Sequence, residues 1–161
     1  MFMSNNIINI GLPSKGRLKE DTLKIFKKRK LNIITKDRGL FGYIKKIPNI
    51  KIIYLHAREC IEQLSLGNID LGFSGLDLLR ESETNIQKNI SIEKKFNYGQ
   101  ANLVLAIPDL WLDVQTLLDL DEVAYELKRK KKRLLRVATK YPNLTRQFLY
   151  SKGVTQFQLV Q

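Results

Sequence analysis

The sequence predicts an α/β protein, and three observations carry that prediction. Short apolar runs alternate with amphipathic stretches along most of the chain, as strands alternating with helices do. The apolar runs are bounded by glycine and proline, the residues that punctuate elements. Composition agrees: 43% hydrophobic and 27% charged residues over 161 positions suit a packed fold and exclude a disordered one.

The elements follow in order. Ile7–Leu12 is an apolar run ending at Pro13 and Gly16, read as a buried strand and a turn. Leu18–Lys30 is helical, with Leu18, Ile25 and Phe26 on one face and charged residues on the others. Leu31–Thr35 and Ile50–Leu55 read as strands, the second preceded by the Pro48-Asn49 turn. Ala57–Leu66 is a helix closed by Gly67, where a C-terminal glycine belongs. Ile69–Phe73 reads as a strand and Leu76–Glu81 as the start of a helix. This alternation implies a mostly parallel sheet covered on both faces.

Glu83–Asn89 is polar and aperiodic, and the expected lobe boundary comes after it, giving lobes 1–95 and 96–161. In the second lobe Ala101–Ile107 reads as a strong apolar strand ended by Pro108. Trp111-Leu112, which holds the single tryptophan, is expected to pack on that lobe rather than stack on a base. Asp121–Lys132 is a helix with acidic residues at its start, where the dipole favours them. Leu134–Ala138 is a strand, Pro142 opens a helix to about Ser151, and Thr155–Val160 begins a further strand.

Charge narrows the function. Twenty-eight basic and 16 acidic residues give a formal +12, which attracts polyanions. The excess is spread along the chain: 18 basic against 10 acidic residues up to Gln100, then 10 against 6. That spread, and the preponderance of lysine, argue against a nucleic-acid role, for which no recognition motif is present. The basic run Lys128–Arg133 reads as a solvated helix end. No apolar run approaches the roughly 18 residues of a membrane span, and the first ten residues lack the charged start of a secretory signal. One cysteine, Cys60, forms no internal disulfide and reads as a small core residue of a reducing, cytoplasmic compartment. His56 stands without a second histidine or a nearby cysteine partner, so no metal site is predicted.

Three turns could carry chemistry. Ser14-Lys15-Gly16-Arg17 lies between the first strand and helix, where free N–H groups, the helix dipole and two cations suit a phosphate. It is not a P-loop, since the glycine spacing differs. Asp70-Leu71-Gly72-Phe73-Ser74-Gly75-Leu76-Asp77 joins a strand to a helix. Gly75 there permits close approach, and Asp70 or Asp77 could accept hydrogen bonds from a ligand; Asp77 equally suits a helix cap. Ala138-Thr139-Lys140-Tyr141-Pro142 repeats the first geometry, with Thr139 and Lys140 open to an anion or Thr139 serving as a cap. Arg38 sits on a loop after the second strand.

Taken in this order, the Ser14–Arg17 turn, the Asp37-Arg38 loop, the Asp70–Asp77 segment and the Ala138–Tyr141 turn resemble the ATP phosphoribosyltransferases, and Ile107–Val114 looks like the alphaproteobacterial short form. The resemblance implies a two-lobed type II periplasmic-binding-protein-like fold with the site between the lobes. It implies a pentosyltransferase that joins ATP to phosphoribosyl pyrophosphate with Mg²⁺ bound to the substrate phosphates, opening histidine biosynthesis. Arg17 and Arg38 then become the catalytic cations. Ser14, Lys15, Gly16, Arg17, Asp70, Gly75, Asp77, Thr139 and Lys140 become substrate-binding residues. The short form also implies a homodimer or hetero-oligomer with a histidyl-tRNA-synthetase-like regulatory subunit. The family's phosphoribosyl pyrophosphate loop has no counterpart before Gln161. The expectation is therefore a C-terminally incomplete fold without turnover of its own, the alternative being a non-catalytic nucleotide-binding module.

Overall fold

The computed structural model describes residues 7–36 and 39–160, which form two compact units, 1–101 and 102–161. In the first, β1 (Ile8–Pro13), α1 (Gly16–Lys28), β2 (Ile33–Lys36), β3 (Phe41–Ile44), β4 (Ile47–Leu55), α2 (Ala57–Ser65), β5 (Leu71–Gly72), α3 (Leu76–Glu81) and α4 (Thr84–Lys88) follow one another. The strands make one sheet in the order β2-β3-β4-β1-β5. β1 runs parallel to both β4 and β5, with Pro13 beside Leu55 and Gly11 beside Gly72. β2 and β3, and β3 and β4, pair antiparallel. The sheet is therefore mixed rather than mostly parallel. The Phe41–Ile44 strand, which the sequence reading did not resolve, turns the chain back between the two strands that were expected.

Side chains on alternate residues of β1 serve opposite faces. Ile10 and Leu12 join Phe26 of α1 with Ile44, Ile52 and Tyr54 in the core under α1. On the other face Gly11 lies against α2: a Cβ there would meet Cys60 Sγ at 2.9 Å and Ile69 Cδ1 at 2.6 Å. A Cβ on Gly72 would stand 2.8 Å from the same sulfur. Two glycines on neighbouring strands thus let α2 rest on the sheet through a cysteine, whose thiol donates toward the Gly11 carbonyl at 3.7 Å. Burial pushes the Cys60 thiol up to about 11.

The Glu83–Asn89 stretch, read as aperiodic, contains α4, and residues beyond it pack within unit 1. Phe96 stacks on Phe73 and abuts Tyr98, while Phe73 also meets Phe26. The Tyr98 hydroxyl hydrogen-bonds Thr22 Oγ1 at 3.0 Å, and Thr22 donates to the Leu18 carbonyl. The fully buried Thr22 is satisfied in this way.

The second unit contains α5 (Leu117–Lys131), β6 (Leu135–Ala138), α6 (Pro142–Ser151) and β7 (Phe157–Val160). β6 and β7 pair in parallel, and Leu120, Ala124, Leu135, Leu149, Val154 and Phe157 form the core. Trp111 packs on its margin, as expected, whereas Leu112, expected to pack with it, is 79% exposed. The Ala101–Ile107 run is a correction: it is not a strand, because among the described residues no ladder includes it. A local β pattern becomes a strand only where a partner offers its edge.

α5 begins four residues before its predicted start, at a capping box. Asp119 Oδ2 accepts the Gln115 and Thr116 N–H groups at 2.9 and 2.7 Å, and Thr116 Oγ1 accepts the Asp119 N–H at 3.3 Å. The Gln115 N–H, then the two Thr116 bonds, hold the Asp119 carboxyl below the ordinary carboxylate range. A carboxyl depressed by folding stabilises above its unfolded pKa and ceases to do so as pH falls through the folded one. Asp119→Ala is expected to lower the melting temperature at neutral pH, and the deficit relative to the parent chain should shrink through the acid range. Circular dichroism melts at several pH values check both. The last turn carries Lys128–Lys131, and Glu126 pairs with Arg129 and Lys130, so the basic run is a solvated helix end.

Candidate functional site

Parallel strands bring their carboxyl ends to one edge, and in unit 1 three strand-to-helix turns meet there. Pro13 of β1 and Leu55 of β4 end side by side, and Gly72 of β5 ends beside Gly11, two residues before them. They lead into Ser14–Lys15 before α1, His56 before α2 and Phe73–Gly75 before α3. Two hydrogen bonds knit the turns together. The Ser14 N–H donates to the Leu55 carbonyl at 2.8 Å, and Ser74 Oγ donates to the Ala57 carbonyl at 2.6 Å.

The first turn keeps the features of an anion site. Lys15 is the N-cap of α1 in extended conformation, makes no side-chain cap, and no acidic residue follows in the first turn. The leading N–H groups of the helix therefore face outward without a side-chain acceptor. Gly16 has φ +73°, the left-handed region that favours glycine, and the space where a side chain would stand is open. Lys15 and Arg17 are exposed, and neither forms an ion pair among the described residues. Arg38 and its neighbour Asp37 lie outside the described residues.

The third turn is shaped by space rather than backbone angle. Gly75 is the N-cap of α3 with φ −80°, and a Cβ there would collide with Asp77 Oδ1. The Asp77 carboxylate is folded back over the start of its own helix. Asp70 is elsewhere. It precedes β5, at the amino end of the strand, where Oδ2 accepts the Asn9 N–H at 2.7 Å and its own N–H donates to the Asn9 carbonyl. β5 lies between it and Asp77 in the chain.

α2 supplies residues that the sequence reading left out. His56 caps its start, exposed, with its N–H donating to Glu59 Oε2 at 3.3 Å. Arg58 is exposed in the first turn. A lone histidine after a strand gives no signal by itself; only the neighbouring β1 turn makes its position informative.

In unit 2 the corresponding turn follows β6. The Thr139 N–H donates to the Val160 carbonyl at 3.1 Å, and Thr139 Oγ1 accepts the Tyr141 N–H at 3.0 Å and shares a hydrogen bond with Thr145 Oγ1. Tyr141, not Thr139, is the N-cap of α6, and Pro142 follows it. Thr139 therefore shapes the turn, while Lys140 is exposed beside it. Among the described residues no group of three or more His, Cys, Asp or Glu side chains could hold a metal, and no helix is long and apolar enough to cross a membrane.

Comparison with known proteins gives a consistent result. A family model described as HisG, ATP phosphoribosyltransferase, matches residues 56–161. An ATP phosphoribosyltransferase of Nitrobacter winogradskyi is 41% identical over 155 residues, 94% of this chain and 47% of that protein. One from Brucella ovis is 37% identical over 157 residues, 96% of this chain and 68% of the relative. The chain thus spans about half the length of the first and about two thirds of the second. Among solved structures, the ATP phosphoribosyl transferase (HisG:HisZ) complex from Thermotoga maritima matches with a TM-score of 0.56 at 22% identity, over 95% of this chain and 63% of that one. That likeness establishes the periplasmic-binding-protein-like α/β fold.

Proposed function

The chain belongs to the ATP phosphoribosyltransferase family, and from that premise we propose that the carboxyl edge of β1, β4 and β5 holds nucleotide phosphates during phosphoribosyl transfer to ATP. In that reaction adenine N1 bonds to the anomeric carbon of phosphoribosyl pyrophosphate as the bond to pyrophosphate breaks. Such a displacement needs two polyanions held in line and the charge of the leaving group neutralised. Lys15 and Arg17, with the uncapped start of α1, meet the second need; Arg58 adds a third cation from α2. Gly16 keeps the approach open. Ser14 and Gly75 place backbone close to the ligand, and Asp77 offers an acceptor for its hydroxyl or amino groups. Asp70 supports the site only through the sheet. From the second unit, Lys140 is the group we assign to an anion, with Thr139 holding its turn.

The observation that supports this reading is the knitting of three turns at one edge, two of them carrying cations that form no ion pair among the described residues. Mg²⁺ would travel with the substrate phosphates and supply charge neutralisation there; the described residues offer single carboxylates and no cage of their own, which suits an ion that keeps its waters and phosphate ligands. The regulatory partner of the resemblance, a histidyl-tRNA-synthetase-like subunit, is consistent with the two-component complex from Thermotoga maritima. A cytoplasmic location follows from the same pathway.

Calorimetric titration tests the reading. ATP is expected to bind the chain measurably and adenosine far more weakly, because the phosphates provide the contacts. Equal affinity for the two ligands would remove the role given to Lys15 and Arg17. Product formation, followed with ATP and phosphoribosyl pyrophosphate present, separates a transferase from a module that only binds nucleotide.

A further inference from the structure

The turn before α1 suits phosphates, but a phosphate chain presents the same oxygens to it whatever they are attached to. Recognition of the rest of a nucleotide needs groups that meet the nucleoside. On this edge those groups are Gly75 and Asp77, in the turn before α3, so what holds that turn governs how the nucleoside is held.

β5 is two residues long, and its bonding to β1 carries as far as Phe73, whose N–H donates to the Gly11 carbonyl at 2.9 Å. The next residue makes a different tie. Ser74 Oγ donates to the Ala57 carbonyl at 2.6 Å, 17 positions away in sequence, and the bond is partly buried. Ala57 is the first residue of α2, and Arg58 follows it. A carbonyl oxygen has two lone pairs, so it can accept the hydroxyl as well as a helical N–H. The bond fastens the turn to a helix that carries one of the site's cations. Gly75 comes directly after Ser74, and Asp77 Oδ1 occupies the space where a Gly75 Cβ would stand. The placement of Gly75 therefore sets the placement of the Asp77 carboxylate.

We propose that Ser74 is a positioning residue for the nucleoside half of the nucleotide, acting by fixing Gly75 and Asp77 against the start of α2. Its one hydroxyl proton is committed to Ala57, so its effect on a ligand passes through its neighbours. The phosphate turn is held separately, by the Ser14 backbone N–H on the Leu55 carbonyl at 2.8 Å. Removing the Ser74 hydroxyl therefore loosens the grip on the nucleoside and leaves the grip on the phosphates. The inference rests on the nucleotide reading of this edge.

Calorimetric titration of the full 161-residue chain with ATP and with inorganic triphosphate is the test. Ser74→Ala should weaken ATP binding roughly five- to tenfold, the loss expected for one hydrogen bond, and leave triphosphate binding unchanged. Ser74→Thr keeps the hydroxyl and should keep the affinity for ATP. Ser74→Val has the shape of threonine without the O–H and should behave as the alanine variant does. Asp77→Asn should lower ATP affinity by itself, and adding Ser74→Ala to it should cost little more, because both changes act on one contact. Equal weakening of both ligands by Ser74→Ala, valine matching threonine, or additive losses in the double variant would each overturn the inference and leave the reading of the site standing. A parent chain that binds ATP no more tightly than adenosine would remove that reading, and this inference with it.

Discussion

Replacing both Lys15 and Arg17 with alanine is expected to weaken ATP binding on the order of 100-fold, since a hydrogen bond to a charged group contributes about 1.5 kcal/mol at the low end and two are lost. Both side chains stand at the start of α1, and among the described residues no carboxylate pairs with them. The comparison that gives this result meaning is Lys27→Ala with Lys28→Ala. Those lysines occupy the last turn of the same helix, roughly 18 Å along its axis from Lys15. Both pairs remove two charges from a chain of +12, so general attraction of a polyanion falls equally. Calorimetry at physiological salt should show a large loss for the first pair and little for the second. Equal losses would mean that ATP responds to net charge rather than to the turn. Gly16→Ala separates the backbone from the cations: it keeps both charges, yet strains a position at φ +73°, and affinity should fall with it.

The second large effect concerns stability. Gly72→Ala is expected to cost about 1–3 kcal/mol, the usual penalty for inserting a methyl group into a packed core. The new carbon would lie 2.8 Å from Cys60 Sγ, and Leu64 and Ile69 close off the remaining room. Gly11→Ala should cost at least as much, since Ile69 Cδ1 and Cys60 Sγ both stand in the way. Cys60→Ala made together with Gly72→Ala should recover part of the loss by withdrawing the sulfur. Urea denaturation of the single and double variants measures this coupling. Thiol labelling gives an independent readout. Cys60 is 1% exposed and its pKa is pushed up to about 11, so the native chain should react slowly at neutral pH. Gly72→Ala should speed the reaction by populating opened states, and additive, uncoupled stabilities would contradict the packing account.

Much of unit 1 was legible because its signals are local. The run from Ile7 to Leu12, the amphipathic period of α1 and the glycine closing α2 each report on their own neighbourhood. So does the Ser14–Arg17 turn, where glycine and two cations sit together in sequence as they do in space. What escaped was non-local. β3 is four residues long with Gly42 inside it, and only its pairing with β2 and β4 makes it a strand. Ala101–Ile107 had the stronger pattern and still forms no ladder, since a pattern supplies no partner. His56 and Arg58 carry no motif and enter the site because Leu55 ends beside Pro13. Asp70 and Asp77 are seven positions apart in sequence, and the sequence does not show that β5 lies between them.

The bond between Thr22 and Tyr98 has a consequence for the order in which the protein assembles itself during synthesis. It joins positions 76 residues apart, and the ring ladder beside it ties Phe26 to Phe96 through Phe73. β1, the first strand to leave the ribosome, finds its neighbours only when β4 and β5 have been made. The nascent amino-terminal half must therefore wait, with its earliest strand unshielded, until Tyr98 emerges. Folding dominated by such distant contacts is slow, and a ribosome paused with Tyr98 still inside its exit tunnel should hold a protease-sensitive chain that becomes resistant once Tyr98 has left the tunnel.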